Sequence, residues 1–384
     1  MILILKRFLA SEKSGGLILI VCTAISLILA NSVIHNEYTQ MWHFEIGGFT
    51  IEQWINDALM TVFFLLIGLE LEREIHIGEL SNLKNALFPV AAALGGIFVP
   101  ACIYAVFNCG SPTIAGIGIP TATDIAFSLG ILSLLGNRVL PPLKIFLVAL
   151  AIVDDLGAII IISVYYTQSL VFTNLLIALG IFAVLLVLNR LRVYSLVPYL
   201  IGGAVMWYFM HNSGVHATIT GVMLAFAIPL VKLDNTHKKS PSHDLSHFLH
   251  YPVTFFVLPL FALANTAIPF SGSFGDIAMQ PCSIGIFTGL VIGKPLGIVA
   301  FSFIAVKLGL CSRLRFFKWH QIIGVSFLGG IGFTMSIFIT LLAFDDVEVI
   351  NAAKLTILVS SCIAAVIGLV MLNIVLKQFK QEHN

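Results

Sequence analysis

About a dozen times along the chain, some twenty residues pass with scarcely a charge, and each run ends at a short polar or Gly/Pro-bearing joint. A helix needs about 20 mainly apolar residues to cross a bilayer. Helices also satisfy their own backbone groups where no water can. The runs fall near residues 14–31, 53–75, 87–107, 113–136, 143–167, 173–189, 196–210, 216–231, 247–267, 282–306, 319–343 and 350–376. No stretch between them is long or polar enough for a separate soluble domain. Only 10% of the 384 residues are charged and 59% are hydrophobic, whereas soluble domains carry about 25% charge. An all-α, polytopic membrane protein of twelve spans is expected.

The placement of the basic residues sets its orientation. One set of alternating joints holds Lys6, Arg7, Lys13, Arg73, Lys84, Arg138, Lys144, Arg190, Arg192, Lys232, Lys238 and Lys239. It continues with Lys307, Arg313, Arg315, Lys318, Lys377 and Lys380, while the opposite joints hold only Lys354. Basic residues mark the cytoplasmic side, so both termini are expected inside. The basic start "MILILKRFLASEKS" is signal-like, but "LILANS" lacks the small residues of a cleavage site, so an uncleaved anchor is expected. The six cysteines are scattered singly with no CxxC. They read as small buried hydrophobes rather than a disulfide or metal site.

Among 20 basic and 19 acidic residues, four fall at the middle of a span. Asp154 and Asp155 interrupt the 22 otherwise uncharged residues from Ile145 to Tyr166. Asp124 is the twelfth of 24 residues in "TIAGIGIPTATDIAFSLGILSLLG", and Lys294 the thirteenth of 25 in "CSIGIFTGLVIGKPLGIVAFSFIAV". Each such charge costs about 2.5–3.5 kcal/mol on insertion scales. One Asp–Lys pair gluing helices together is the plain structural reading, but three acids face one base. An excess carboxylate at depth either binds a cation or takes up a proton. Oxygen ligands suit a hard cation such as Na⁺, and proton and cation then compete for the same oxygens. Adjacent helical positions point about 100° apart, so one Asp can face the ion while the other pairs with Lys294.

Two spans are expected to break. "GIGIPTATDIA" puts Pro120 inside the fourth, with Thr121 and Thr123 beside it, and "FLGGIGFTMS" puts Gly329, Gly330 and Gly332 inside the eleventh. Proline removes a backbone donor and glycines weaken helices. Interrupted helices at matching places in two halves point to a transporter site, whose half-helix ends would meet as bare dipoles. Asp124 suits the positive ends and a lysine the negative ones. Spans 3–5 and 10–12 would then be inverted repeats.

At these residues the chain resembles the NhaA-type sodium/proton antiporters. The matching stretches are "WINDALMTVFFLLIGLELERE", "PTATDIAFSLG", "LKIFLVALAIVDDLGAIIII", "SGVHATITGV", "GKPLG" and "GIGFTMSIFI". The resemblance implies broken fourth and eleventh spans crossing at mid-membrane in a bacterial cytoplasmic (inner) membrane. It implies electrogenic, pH-regulated export of Na⁺ or Li⁺, with more protons entering than cations leaving and no resident cofactor. By that match Asp154 and Asp155 bind cation and protons, Asp124 and Thr123 serve the crossing, and Lys294 is the partner. Residues 1–384 are then one transmembrane domain, with core helices about 87–167 and 282–376 and scaffold helices about 14–75 and 173–267.

The family's pH-response region maps to Glu70, Arg73 and Glu74 and to "SPSHDLSHFLHYP" with His247 and His250; His216 is a further candidate. The plain reading of these charged helix ends is a solvated, topology-setting face. The chain departs from the family pattern at Ser246, where a carboxylate is usual, and at Glu72, where a basic residue is usual. The joint "MWHFEIGGFTIEQW" alternates around Gly47–Gly48, a hairpin signal at about 43–53. The resemblance implies a homodimer through this outer hairpin; lipid is the other expected partner, and nucleic acid is not.

Two rival classes fit less well. An intramembrane aspartyl protease needs two aspartates on different helices, one in a GxGD context, and here stand "TATD" and "VDDLG". A passive cation channel needs weak sites, whereas an Asp pair with its own lysine counter-ion binds tightly.

Overall fold

The computed structural model describes residues 12–166, 170–231, 240–269, 274–311 and 318–382. The basic segment of the expected signal anchor lies outside them. So do Lys6, Arg7, Lys232, Lys238, Lys239, Arg313 and Arg315 of the charge pattern. In chain order the first helices are α1 (Glu12–Ala30), α2 (His35–Trp42), α3 (Ile51–His76), α4 (Leu83–Asn108) and α5 (Ile125–Leu134). There follow α6 (Pro141–Tyr165), α7 (Phe172–Arg190), α8 (Val197–His211), α9 (Ile219–Ala227) and α10 (Pro241–Asn265). The last are α11 (Phe274–Ala278), α12 (Pro281–Lys307), α13 (Trp319–Gly329), α14 (Phe333–Ala343) and α15 (Val347–Glu382).

Among the described residues, 7 helices are long and apolar enough to cross a membrane, or 10 when each bent helix pair is one span. Two of the twelve expected runs fall short of that measure: α8 has 15 residues and α9 has 9. The α9 run begins its helix only at Ile219, because His216 and Ala217 form the turns ahead of it.

The chain clusters into two compact units. The first comprises the described residues to Tyr38, Asn82–Ala158, and those from Asn265 on. Helix α1 belongs to this first unit, where it packs along α5. Gly16 and Gly130 cause this, since their backbones lie against each other and leave no room for a side chain. Close approach through small residues is the usual way helices associate in lipid. Gly95 of α4 meets the Gly297 backbone of α12 in the same way. That contact anchors the helix carrying Lys294. A π-helical turn at Gly289–Gly293 immediately precedes Lys294, and such turns re-aim the residues that follow.

The second unit comprises Thr39–Ser81 and Ile159–Ala264. In it α3 packs along α9 and α10, and α7 along α8. Two short strands, β1 (Glu45–Ile46) and β2 (Phe49–Thr50), pair antiparallel with Glu45 opposite Thr50 and Ile46 opposite Phe49. Gly47 and Gly48 turn the hairpin at φ 66° and 87°, values that two-residue turns demand and glycine supplies. Trp54 Nε1 donates to the Ile46 carbonyl at 2.9 Å, and Thr50 with Gln53 forms a capping box at the start of α3.

Candidate functional site: two broken helices around a buried Asp–Lys pair

Residues 112–134 form two helices bent by 43°, and residues 319–343 two bent by 45°. The sequence reading expects one broken α-helix over 113–136, but its first half, Pro112–Thr121, is a 3₁₀ helix. Two prolines and two glycines in ten residues explain this, for Pro120 cannot donate to the α-helical ladder. Ten residues of 3₁₀ helix are unusual, and such stretches often mark hinges. Ala122 is extended, with φ −83° and ψ 152°, and Asp124 N-caps α5. In the other pair, Gly330–Gly332 separate α13 from α14.

The two breaks meet through a ring of hydrogen bonds. Asp124 N donates to the Ile331 carbonyl at 2.7 Å. Ser128 Oγ, on the second half of the first pair, donates to Leu328 O at 2.8 Å; Ser336 Oγ, on the second half of the other, donates to Ile119 O at 2.7 Å. Each pair thus caps the other's helix end, where carbonyls lack intrahelical donors.

Asp124 serves both positive helix ends. Its Oδ1 accepts from Phe127 N at 2.9 Å and its Oδ2 from Thr334 N at 3.1 Å and the Thr334 hydroxyl. The two carboxylate oxygens therefore cap α5 and α14, where negative charge is stabilising. Ser361 of α15 accepts from Phe333 N at 3.2 Å. At the opposite pole, Lys294 Nζ donates at 2.6 Å to the carbonyl of Thr121, the last residue of the 3₁₀ helix.

Lys294 joins this crossing to the acidic pair. Its Nζ lies 3.0 Å from Asp154 Oδ2, and both side chains are 0% exposed. Thr123 Oγ1 lies 2.7 Å from the same oxygen. Asp154 Oδ1 is buried with no hydrogen-bond partner among the described residues. Asp155, one helical step on, is also fully buried. Among the described residues no three His, Cys, Asp or Glu converge as a resident metal site. Asp124, Thr123, Asp154, Asp155 and Lys294 thus fall together in the first unit. Thr334, Ser128 and Ser361 join them although no sequence argument assigned them a role. For Thr334 a signal existed, since it stands two residues past Gly332.

The pH-response candidates fall in the second unit. Arg73 Nη2 lies 3.3 Å from Glu74 Oε1, and Glu70 stands one turn away on α3. His247 and His250 are exposed on α10, His250 edge-on to Tyr251 at 6.0 Å. His216 Nε2 lies 3.0 Å from the Tyr166 carbonyl. Glu72, noted only as a departure from the family pattern, is buried and accepts from Ser242 Oγ at 3.2 Å, tying α3 to α10. It lines a cavity of about 380 Å³ with His76, Ile77, Asn189 and Leu230.

Residues 6–372 match the family described as Na+/H+ antiporter 1. The chain is 60% identical over 372 residues to the Na(+)/H(+) antiporter NhaA of Flavobacterium psychrophilum, covering 97% of this chain and 96% of that one. It is 58% identical over 373 residues to the NhaA of Cytophaga hutchinsonii, with 97% and 96% covered. Against the NhaA of Dechloromonas aromatica it is 56% identical over 382 residues, with 99% and 97% covered. With its run of apolar helices, the chain is a multi-pass bacterial membrane protein that belongs to the NhaA-type Na⁺/H⁺ antiporter family.

Proposed function

We propose that this chain exports Na⁺ or Li⁺ in exchange for a larger number of protons. The observation that carries this is the pair of adjacent, fully buried carboxylates, Asp154 and Asp155, against one buried ammonium, Lys294. Asp154 accepts from Lys294 and Thr123. An entering cation takes carboxylate oxygens from these donors, and Asp155 supplies the second negative charge. When the cation leaves, the carboxylates take protons. With more protons entering than cations leaving, net charge moves, so the exchange is electrogenic. The relatives' own names, Na(+)/H(+) antiporters, support the pairing of ions.

The same reading carries the finer architecture. Twelve spans leave both termini on the cytoplasmic side, and spans 3–5 and 10–12 are inverted repeats crossing at mid-membrane. The reciprocal ties Ser128–Leu328 and Ser336–Ile119 support that symmetry, because each break supplies the other with the same kind of cap. Proton and cation compete for Asp154 and Asp155, which is the main source of pH dependence; Glu70, Arg73, Glu74, His247 and His250 add at most a lesser modulation, and the hairpin joins two copies into a dimer.

The test is proton movement in sealed proteoliposomes under an imposed sodium gradient. Coupled movement that responds to membrane potential is expected. Coupled movement indifferent to the potential would refute electrogenicity, and uncoupled sodium flux would refute exchange.

A further inference from the structure

The hydroxyl of Thr123 has one hydrogen and two acceptors within reach. Its Oγ1 lies 2.7 Å from Asp154 Oδ2 and 2.8 Å from the carbonyl oxygen of Gly329. Thr123 and Asp154 are both 0% exposed. A hydroxyl donates a single hydrogen bond, so only one of these oxygens receives it at a time. Bonds to an ionised acceptor are roughly twice as strong as neutral ones. With Asp154 ionised and no cation bound, the hydrogen therefore belongs to Asp154, and Gly329 goes without it. Gly329 is the last residue of α13, at the edge of the second break.

We propose that Thr123 is a one-hydrogen toggle that reports cation occupancy of Asp154 to the second broken helix. The proposal rests on the reading of Asp154 and Asp155 as the cation site. A cation on Asp154 Oδ2 repels the hydroxyl hydrogen, which then has no charged acceptor there. The O–H then rotates to Gly329 O; no covalent bond changes. Loading thus adds a tie between the extended segment of the first break and the end of α13.

The neighbouring donors lack this property. Lys294 has three hydrogens, so its contacts to Asp154 at 3.0 Å and to the Thr121 carbonyl at 2.6 Å coexist. It keeps the second when it loses the first. Ser128 donates to Leu328 O and Ser336 to Ile119 O, each at the same crossing but away from Asp154. These ties are blind to the cation. Thr123 alone among them must choose.

The experiment uses the purified full-length protein at one fixed pH, with ²²Na⁺ binding and hydrogen–deuterium exchange of residues 326–336 measured on the same samples. In the unsubstituted protein, saturating Na⁺ slows exchange in this segment. Thr123→Val keeps Na⁺ binding within about tenfold, worth about 1.4 kcal/mol, and its segment ignores Na⁺. Thr123→Ser restores the response. Ser128→Ala exchanges faster with and without Na⁺ but keeps the Na⁺-dependent slowing. Should the valine variant fail to fold, Thr123→Cys, a weaker donor, shows a diminished response. Undiminished slowing in Thr123→Val or Thr123→Cys overturns the toggle. Loss of Na⁺ binding in Thr123→Val overturns it too, by making Thr123 an obligatory ligand. Normal Na⁺ binding in a doubly substituted Asp154→Asn, Asp155→Asn protein instead overturns the cation-site reading beneath it.

Discussion

Asp154 and Asp155 are one residue apart in sequence and differ in their partners. Asp154 holds Lys294 and Thr123, so removing its charge strands a buried ammonium; Asp155 contributes charge beside that pair. Asp155→Asn is expected to abolish exchange while the protein still inserts and folds, because an amide carries no charge for the cation. Asp154→Asn does likewise or nearly so. Normal sodium-driven proton movement in vesicles of either variant would overturn the two-carboxylate site. Lys294→Ala is expected to lower the melting temperature in detergent as well as the exchange rate. Breaking a buried ion pair costs about 3–5 kcal/mol, and Lys294 also caps Thr121 O. An unchanged melting temperature would mean that the Asp154 contact contributes nothing to folding.

Asp124 reaches two elements at once. It caps α5 with one oxygen and α14 with the other, so its loss reaches two helices at once. Each cap is worth about 0.5–2 kcal/mol. Asp124→Ala is therefore expected to lower the melting temperature more than Asp124→Asn, whose amide oxygen still serves one helix. Equal losses in thermal melts would refute the double cap. The broken spans were legible at Pro120 and at Gly329–Gly330–Gly332, because proline and glycine act through local backbone chemistry. That residues 112–121 form a 3₁₀ helix, and that Ser361 of α15 reaches Phe333 N, was not legible. Both depend on what packs alongside, and no short-range pattern carries that.

For the whole molecule, the expected behaviour is competition. At low pH protons occupy Asp154 and Asp155, so the apparent cation affinity falls and acid inhibition is relieved by more Na⁺. One pH unit corresponds to about 1.36 kcal/mol, so tenfold more cation offsets it when one proton is displaced. Displacing two protons changes the apparent affinity about a hundredfold per unit at the acid end. A regulator built on Glu70, Glu74, His247 and His250 would instead lower the maximal rate, and saturating Na⁺ would not rescue it. Rates measured against Na⁺ concentration at several pH values decide between them: a falling maximal rate with unchanged apparent affinity refutes competition.

By itself the sequence determined that this chain lies in a membrane, where its charges sit along the spans, and which two spans break. Those are consequences of composition and local backbone chemistry, and hydrocarbon leaves few alternatives to helices. Tertiary structure alone decided that α1 belongs with the first unit, that Lys294 chooses Asp154, and that the Thr123 hydroxyl lies between Asp154 and Gly329. Partners more than a hundred residues apart are selected by which helices approach closely enough for backbones to touch. The glycines that permit this, Gly16 with Gly130 and Gly95 with Gly297, look in sequence like any others.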